Sequence, residues 1–137
     1  MVDLDRYIEK EWNEIASFPA WFSKGCRNTK AKYTDMGKFV EVNNSCDVKG
    51  KRKVQIGKAF PTDDENVLKV QFFAPFKAPY KIEFIDDDYQ NAIVGSGKGY
   101  LWILSRDEQI SDEKYQELVE IAKKKGYNTD KLVKTGK

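Results

Sequence analysis

Between about Glu11 and Arg106 the chain alternates short apolar runs with clusters of turn-forming residues. A period of two marks strands, and turns at hairpin spacing make those strands antiparallel neighbours. The clearest stretch runs from Asn66 to Phe72, where Leu68, Val70 and Phe72 share one face and Lys69 and Gln71 the other. Tyr80, Ile82 and Phe84 repeat the pattern against Lys81 and Glu83, and Val54 and Ile56 repeat it against Lys53 and Gln55. Turn signals stand at Asp35-Met36-Gly37, Lys49-Gly50-Lys51, Pro61 to Asn66, Pro75 to Pro79, Asp86-Asp87-Asp88 and Gly95 to Gly99. They divide the segment into about eight strands, the number a β-sandwich or an up-and-down barrel uses.

After Arg106 the period lengthens. Ser111 offers an N-cap, Asp112 and Glu113 supply first-turn acids, and Tyr115, Leu118, Val119 and Ala122 form one apolar stripe before Lys123-Lys124-Lys125 and Gly126. This predicts a helix over about 112–125 that lays its stripe on the outside of the sheet. Leu132 and Val133 fit a short edge strand.

The chain of 137 residues has room for one core, so any site belongs to a single domain spanning 1–137. Lys and Arg number 24 against 22 Asp and Glu, and the net charge of +2 gives none of the dense basic face that nucleic acid requires. The chain contains no histidine, which removes the usual general base near neutral pH and His-ligated zinc or haem. Two cysteines, Cys26 and Cys46, are too few for a Cys-rich zinc site. The reading is therefore of a protein without catalytic residues, metal or cofactor. No apolar run approaches the roughly 20 residues of a membrane-spanning helix, and Met1-Val2-Asp3-Leu4-Asp5 does not read as a signal peptide. A leader or lipid anchor removed by processing would leave the same start.

Two stretches resemble the signature motifs of a known family. Tyr100-Leu101-Trp102-Ile103-Leu104-Ser105-Arg106, following Asp87-Asp88-Tyr89-Gln90-Asn91-Ala92-Ile93-Val94, is similar to the second and third motifs of lipocalins, in the form carried by bacterial outer-membrane lipocalins and apolipoprotein D. The start agrees through Val2 to Tyr7, Trp12, Glu14-Ile15-Ala16 and Phe18 to Cys26, and the likeness extends to about Thr135. It departs where Lys10-Glu11-Trp12 replaces the usual Gly-x-Trp, where Asn13 replaces a common Tyr, and where Asp87 replaces a typical Thr.

The resemblance implies an all-β fold: an eight-stranded antiparallel up-and-down β-barrel over about 11–106, with the C-terminal helix packed on its outside. It implies a carrier that holds a small lipophilic ligand, a fatty acid or a lysophospholipid, without doing chemistry on it. Trp12, Asp88, Tyr89 and Arg106 become structural residues, Arg106 lying across Trp12 at the closed end in a cation–π contact worth about 0.5–2 kcal/mol. By alternation Val54, Ile56, Leu68, Val70, Phe72, Tyr80, Ile82, Phe84, Tyr100 and Trp102 are expected to face inward, with Leu101 and Ile103 facing the helix. Tyr33, Asn43 and Trp102 match pocket positions of the apolipoprotein-D-like members, although alternation would turn Val40 and Val42 inward in place of Asn43.

In such a barrel alternate loops share an end. Lys24, Lys49, Lys51, Arg52, Lys53, Lys77 and Lys98 then gather at one end and Asp35, Asp63, Asp64, Glu65, Asp86, Asp87 and Asp88 at the other. The resemblance makes the basic end the open mouth, suited to anionic amphiphiles and to contact with an anionic membrane surface. Trp21 and Phe22 beside Lys24 fit such an interface. If the hairpin turns at Met36, Cys26 and Cys46 face each other near the mouth, which allows a disulfide and an oxidising, periplasmic or outer-membrane-associated setting; two reduced thiols are the alternative. Competing readings are a solidly packed barrel whose loops bind a protein partner, and a lipocalin-type enzyme with a reactive cysteine. Monomer and dimer are both open.

Overall fold

The computed structural model describes residues 2–19, 24–73 and 76–137. Eight strands follow one another: β1 (Trp12–Ser17), β2 (Arg27–Asp35), β3 (Val40–Val48), β4 (Lys51–Pro61), β5 (Val67–Phe73), β6 (Phe76–Ile85), β7 (Asn91–Ser96) and β8 (Tyr100–Ser105). Each is antiparallel to the next. β1 closes the ring by pairing with β8 from Asn13↔Ser105 to Ser17↔Trp102, and with β2 at Trp12↔Ala31 and Asn13↔Lys30. The fold is the expected up-and-down barrel, and closure removes the edges an open sheet would expose.

Helix α2 (Asp112–Lys124) lies on the outside, capped by Ser111, whose Oγ accepts from the Lys114 amide at 3.1 Å. Tyr115, Leu118 and Ala122 are buried against Ile15, Ala16, Ile93, Leu101 and Ile103, so the predicted stripe and the outward Leu101 and Ile103 meet as one apolar layer. A short strand, β9 (Val133–Lys134), adds to β1 through Ala16↔Lys134, one residue later than expected. The pattern gave no sign of α1 (Leu4–Ile8), a helix of a little over one turn that is too short for periodicity to reveal. Asp3 caps it, its Oδ1 accepting from the amides of Asp5 at 3.1 Å and Arg6 at 3.4 Å.

The register decides what the barrel encloses. Val40 and Val42 are buried in the interior cluster, opposite Ala59 and Gly57, so alternation carries the lumen face of β4 on through Gln55 and Lys53. Val54 and Ile56, expected to face inward, therefore point out and are 57% and 49% exposed. Asn43, the partner of Ile56, also points out, as the alternation of Val40 and Val42 requires. The reason lies across the barrel wall. A Cβ on Gly57 would stand 2.6 Å from the Phe72 ring, so the lumen needs its small residues here and leaves the β-branched ones outside, where strand propensity alone accounts for them. On β6 the register slips between Ile82↔Val94 and Phe84↔Ile93, and this bulge turns Phe84 out of the lumen into the layer beneath α2 while Ile85 packs inside.

Cys26 and Cys46 form a disulfide with Cα atoms 5.3 Å apart. The hairpin is centred beyond Met36, because Asp35 pairs with Val40, so a regular ladder would not place the two cysteines opposite each other. Cys26 instead precedes β2 at a bend with Gly25 (φ +81°) and Asn28 (φ +51°) in left-handed conformations, and β2 shifts register between Arg27 and Lys30. Its sequence separation of 20 predicts that the double Cys26→Ser, Cys46→Ser variant loses about 3 kcal/mol in urea denaturation. Its far-ultraviolet spectrum should stay unchanged; an unaltered midpoint would show that the crosslink adds nothing.

Candidate functional site

The lower end of the barrel is shut by one guanidinium. Arg106 stacks with its Cζ 3.6 Å from the centre of the Trp12 ring, and Trp12 has no exposed surface. The same guanidinium donates to the carbonyls of Tyr89 (3.0 Å), Arg6 (3.0 Å), Tyr7 (3.1 Å) and Lys10, while Trp12 Nε1 donates to Tyr7 O at 2.9 Å. Carbonyls at the C-terminal end of α1, Arg6 O (which also accepts from the Glu9 amide at 3.3 Å) and Tyr7 O, thus meet a cation that fits them electrostatically. α1 crosses this end: the Val2 amide donates to Asn66 Oδ1 at 3.2 Å and the Asp3 amide to Tyr89 Oη at 2.8 Å. Tyr89 holds a left-handed φ of +54°, kept in place by that bond, by Arg106 on its carbonyl and by Arg6 4.1 Å over its ring. Asp88 stays exposed; the residue that organises the turn is Asp86, whose carboxylate accepts from the amides of Gln90 (2.8 Å) and Asn91 (2.9 Å) and from Asn91 Nδ2 (2.9 Å). Burial raises the Asp86 pKa, but the bonds from Asn91 and Gln90 outweigh it and hold the carboxyl below its ordinary value.

Directly above the plug stand three phenols. Tyr80 Oη is hydrogen-bonded to Tyr33 Oη at 2.9 Å and to Tyr7 Oη, and the Tyr7 ring lies 5.2 Å from that of Trp12. Burial raises the pKa of all three, so they stay protonated. Leu68, Ile82, Ala92, Val94 and Leu104 fill the rest of this layer and are buried.

Higher up the lumen changes character. Val70, Phe72, Tyr100 and Trp102 face inward yet are only half-buried, and Tyr100 and Trp102 stack with centroids 6.1 Å apart at 10°. The other wall, built by β2 to β4, turns polar: Thr29, Asn44 and Gln55 share the lumen face with Ala31 and Ala59, and Thr29 Oγ1 is buried with no hydrogen-bond partner among the described residues. Lys53, opposite Cys46, continues this face to the rim. Among the described residues β4 pairs with β5 from Lys58↔Gln71 to Pro61↔Leu68, while its pairing with β3 runs on to Val48↔Lys51.

Of the expected lumen residues, the barrel brings Tyr33, Leu68, Val70, Phe72, Tyr80, Ile82, Tyr100 and Trp102 together and leaves Asn43, Val54, Ile56 and Phe84 outside. Sequence reasoning missed Tyr7, hidden in α1, and the polar wall of Thr29, Asn44, Gln55 and Lys53. The signal for that wall was the pair Gly57 and Ala59, whose small side chains mark the lumen face of β4. The two charged ends exist as expected: α1 covers the acidic one, and Lys24, Lys49, Lys51 and Lys53 are exposed at the other. Lys98 is drawn aside to the C-terminal end of α2, donating to Lys125 O at 2.9 Å, and Arg52 to Asp47 at 3.1 Å. Trp21 and Phe22, expected at the mouth, lie outside the described residues.

The family model for the lipocalin-like domain matches residues 2–137. Temperature-induced lipocalin-1 of Arabidopsis thaliana is 40% identical over 98% of this chain and 78% of its own length. The outer membrane lipoprotein Blc of Citrobacter freundii is 38% identical over 96% of this chain and 77% of its own. Among solved structures, lobster apocrustacyanin A1 superposes with a TM-score of 0.79 at 19% identity, over 97% of this chain and 78% of that one, a likeness of fold.

Two outcomes follow from the plug. Arg106→Ala should lower stability in urea by about 3 kcal/mol, since it removes a stacked cation and several charge-assisted hydrogen bonds together; Arg106→Lys, which keeps the charge without the fork, should recover only part. A loss within about 0.5 kcal/mol, the range of ordinary surface changes, would contradict the role given to it. Because the folded pKa of Tyr7, Tyr33 and Tyr80 is raised, their contribution to stability is complete below the ordinary tyrosine value of about 10 and declines as pH rises above it. Their phenolate absorbance should therefore appear only together with unfolding. Ionisation of every tyrosine before any loss of secondary structure would contradict this.

Proposed function

The chain belongs to the lipocalin-like family, and from that premise and the geometry of its lumen we propose that it binds a single-chain anionic lipid, a fatty acid or a lysophospholipid, and stores or carries it unchanged. The observation that carries this reading is the contrast between the two halves of the barrel. Below, Trp12, Tyr7 and their neighbours fill the interior; above, Val70, Phe72, Tyr100 and Trp102 face inward while keeping accessible surface. Aromatic and aliphatic side chains left open to a concave space favour an apolar chain, at about 25 cal/mol for each Å² covered.

The rim selects the other end of such a ligand. Lys53 on the lumen face and Lys24, Lys49 and Lys51 around it favour a carboxylate or phosphate there, and the same charge favours approach to an anionic membrane surface. Binding without chemistry is supported by the bonded state of both cysteines, which withdraws the thiolate that an enzyme reading would need in a chain with no histidine. The disulfide also favours an oxidising compartment, and with the outer-membrane placement in the name of the Citrobacter relative it supports an extracytoplasmic, periplasmic or outer-membrane-associated setting.

Native mass spectrometry of the purified chain, followed by titration with a fatty acid and a lysophospholipid under tryptophan fluorescence, tests the proposal. Bound lipid or a saturable change is expected, with affinity falling as salt rises. Trp102→Ala should weaken binding about tenfold or more, a larger factor than any ligand-independent change in the lumen, because Trp102 keeps accessible surface on the lumen face beside its stacked neighbour Tyr100. A chain that carries no lipid and responds to neither compound would favour the packed barrel working through its loops.

A further inference from the structure

The ladder between β3 and β4 fixes the order of side chains down one wall of the lumen. Val42 pairs with Gly57, Asn44 with Gln55, Cys46 with Lys53 and Val48 with Lys51 in one continuous register, and Val40, Val42 and Ala59 are buried inside. Alternation therefore gives the inner face of β4, from the rim downward, as Lys51, Lys53, Gln55, Gly57 and Ala59. Two cations are followed by a carboxamide, by a position without a side chain and by a methyl group. Asn44 stands directly opposite Gln55, and its other neighbour, Ala31, packs against the interior cluster. Asn44 is half-buried and Gln55 exposed, so both keep surface that a ligand can reach. The outer face of the same hairpin satisfies its own polar groups, for Arg52 donates to Asp47 Oδ1 at 3.1 Å and to Ser45 Oγ at 2.7 Å. The inner face does not. Among the described residues neither carboxamide has a side-chain hydrogen bond and neither lysine an ion pair, and Cys46 is taken up by the disulfide.

We propose that Asn44 and Gln55 form a carbonyl-binding subsite, and that the preferred ligand carries an ester or amide carbonyl between its anionic group and its apolar chain. Directly opposed residues hold their Cβ atoms about 4.5–5.5 Å apart, so the NH2 groups of both carboxamides reach one carbonyl oxygen. Gln55 lies two residues below Lys53, about 6.6 Å of strand at roughly 3.3 Å per residue. A linker of a few bonds spans that step while the flexible lysine follows the anion. Below the carboxamides, Gly57 and Ala59 leave room for the chain, with the Phe72 ring beside Gly57 as an apolar surface. A plain fatty acid anchored at Lys53 lays methylenes against both carboxamides and strips their water without replacing its hydrogen bonds, whereas a carbonyl at that level restores them. The same chemistry occurs in an acyl chain esterified to a glycerol phosphate and in an acyl chain amide-linked to an amino acid. This inference rests on the lipid-binding reading above and specifies the link between the ligand's head group and its chain.

The test compares N-dodecanoylglycine with pentadecanoate by fluorescence titration. Both are carboxylates with backbones of equal length, and the conjugate has an amide where the fatty acid has two methylenes. The wild-type chain is expected to bind the conjugate at least as tightly as pentadecanoate, although an amide moved into an apolar lumen without a partner would weaken binding about tenfold or more. In the double Asn44→Leu, Gln55→Leu variant the order should reverse, the ratio of the two dissociation constants shifting about tenfold or more. Dodecanoyl lysophosphatidate, titrated alongside, carries its carbonyl as an ester beyond a phosphate. Whichever of the two carbonyl ligands binds more tightly identifies the source, and both should weaken in the double variant. Pentadecanoate binding the wild-type chain about tenfold or more tightly than both carbonyl ligands would overturn the inference while leaving lipid binding intact, and this comparison needs no variant to fold. Equal effects of the double substitution on all three compounds, as when the carboxamides hold the anionic group itself, would overturn it as well. Failure of all three to bind the wild-type chain would bring down the lipid-binding proposal and this one with it.

Discussion

Arg106 lies flat on the indole of Trp12 and spends its remaining donors on carbonyls from α1 and from the turn before β7. A barrel that is to hold a ligand must be closed at one end without being filled throughout, and a closed end presents a difficulty: loops and a helix terminus meet there with backbone groups that water can no longer serve. One planar cation answers both needs. Its face packs on an aromatic ring and its edge satisfies several acceptors pointing in different directions, which a lysine could not do. The position of α1, the left-handed turn at Tyr89 and the burial of Trp12 all follow from it.

Above that floor the interior is graded. The phenols of Tyr7, Tyr33 and Tyr80 form the first polar layer, the aromatic wall of Phe72, Tyr100 and Trp102 comes next, and the polar face of Thr29, Asn44, Gln55 and Lys53 leads to the basic rim. The gradient runs along the barrel axis and also across it, since the strands β2 to β4 supply most of the polar atoms and β5 to β8 the aromatic ones. The layer under α2 is separate. It buries Leu118, Ala122, Leu101 and Ile103 on the far side of the sheet and stiffens the wall that carries Trp102 without entering the lumen.

Much of this was legible in the chain. The hairpin spacing, the change of period at Ser111, the partition of the charged loops and the pairing of Trp12 with Arg106 could all be seen, because each depends on local pattern or on a motif. The errors share one cause. Val54, Ile56 and Phe84 were expected inside because they are apolar, yet which face of a strand is buried depends on register, and register here is set by a clash between residue 57 and Phe72 and by a bulge at Glu83, contacts between different strands. The disulfide was anticipated from a hairpin centre that the ladder does not have; it forms because the chain bends at Gly25 and Asn28 before β2 begins. Tyr7 escaped notice because a five-residue helix leaves no periodic trace, and its hydroxyl gains meaning only from Tyr33 and Tyr80, which lie far away in sequence.

The central claim is a barrel that is plugged below and open above, and two tryptophans report on the two halves. Variants that retain only Trp12 or only Trp102 as fluorophore, titrated with a bromine-labelled fatty acid, would locate the bound chain directly. The account predicts saturable quenching of Trp102 with Trp12 unaffected; equal quenching of both, or quenching of Trp12 alone, would place the ligand where this structure has no room for it and would contradict the account.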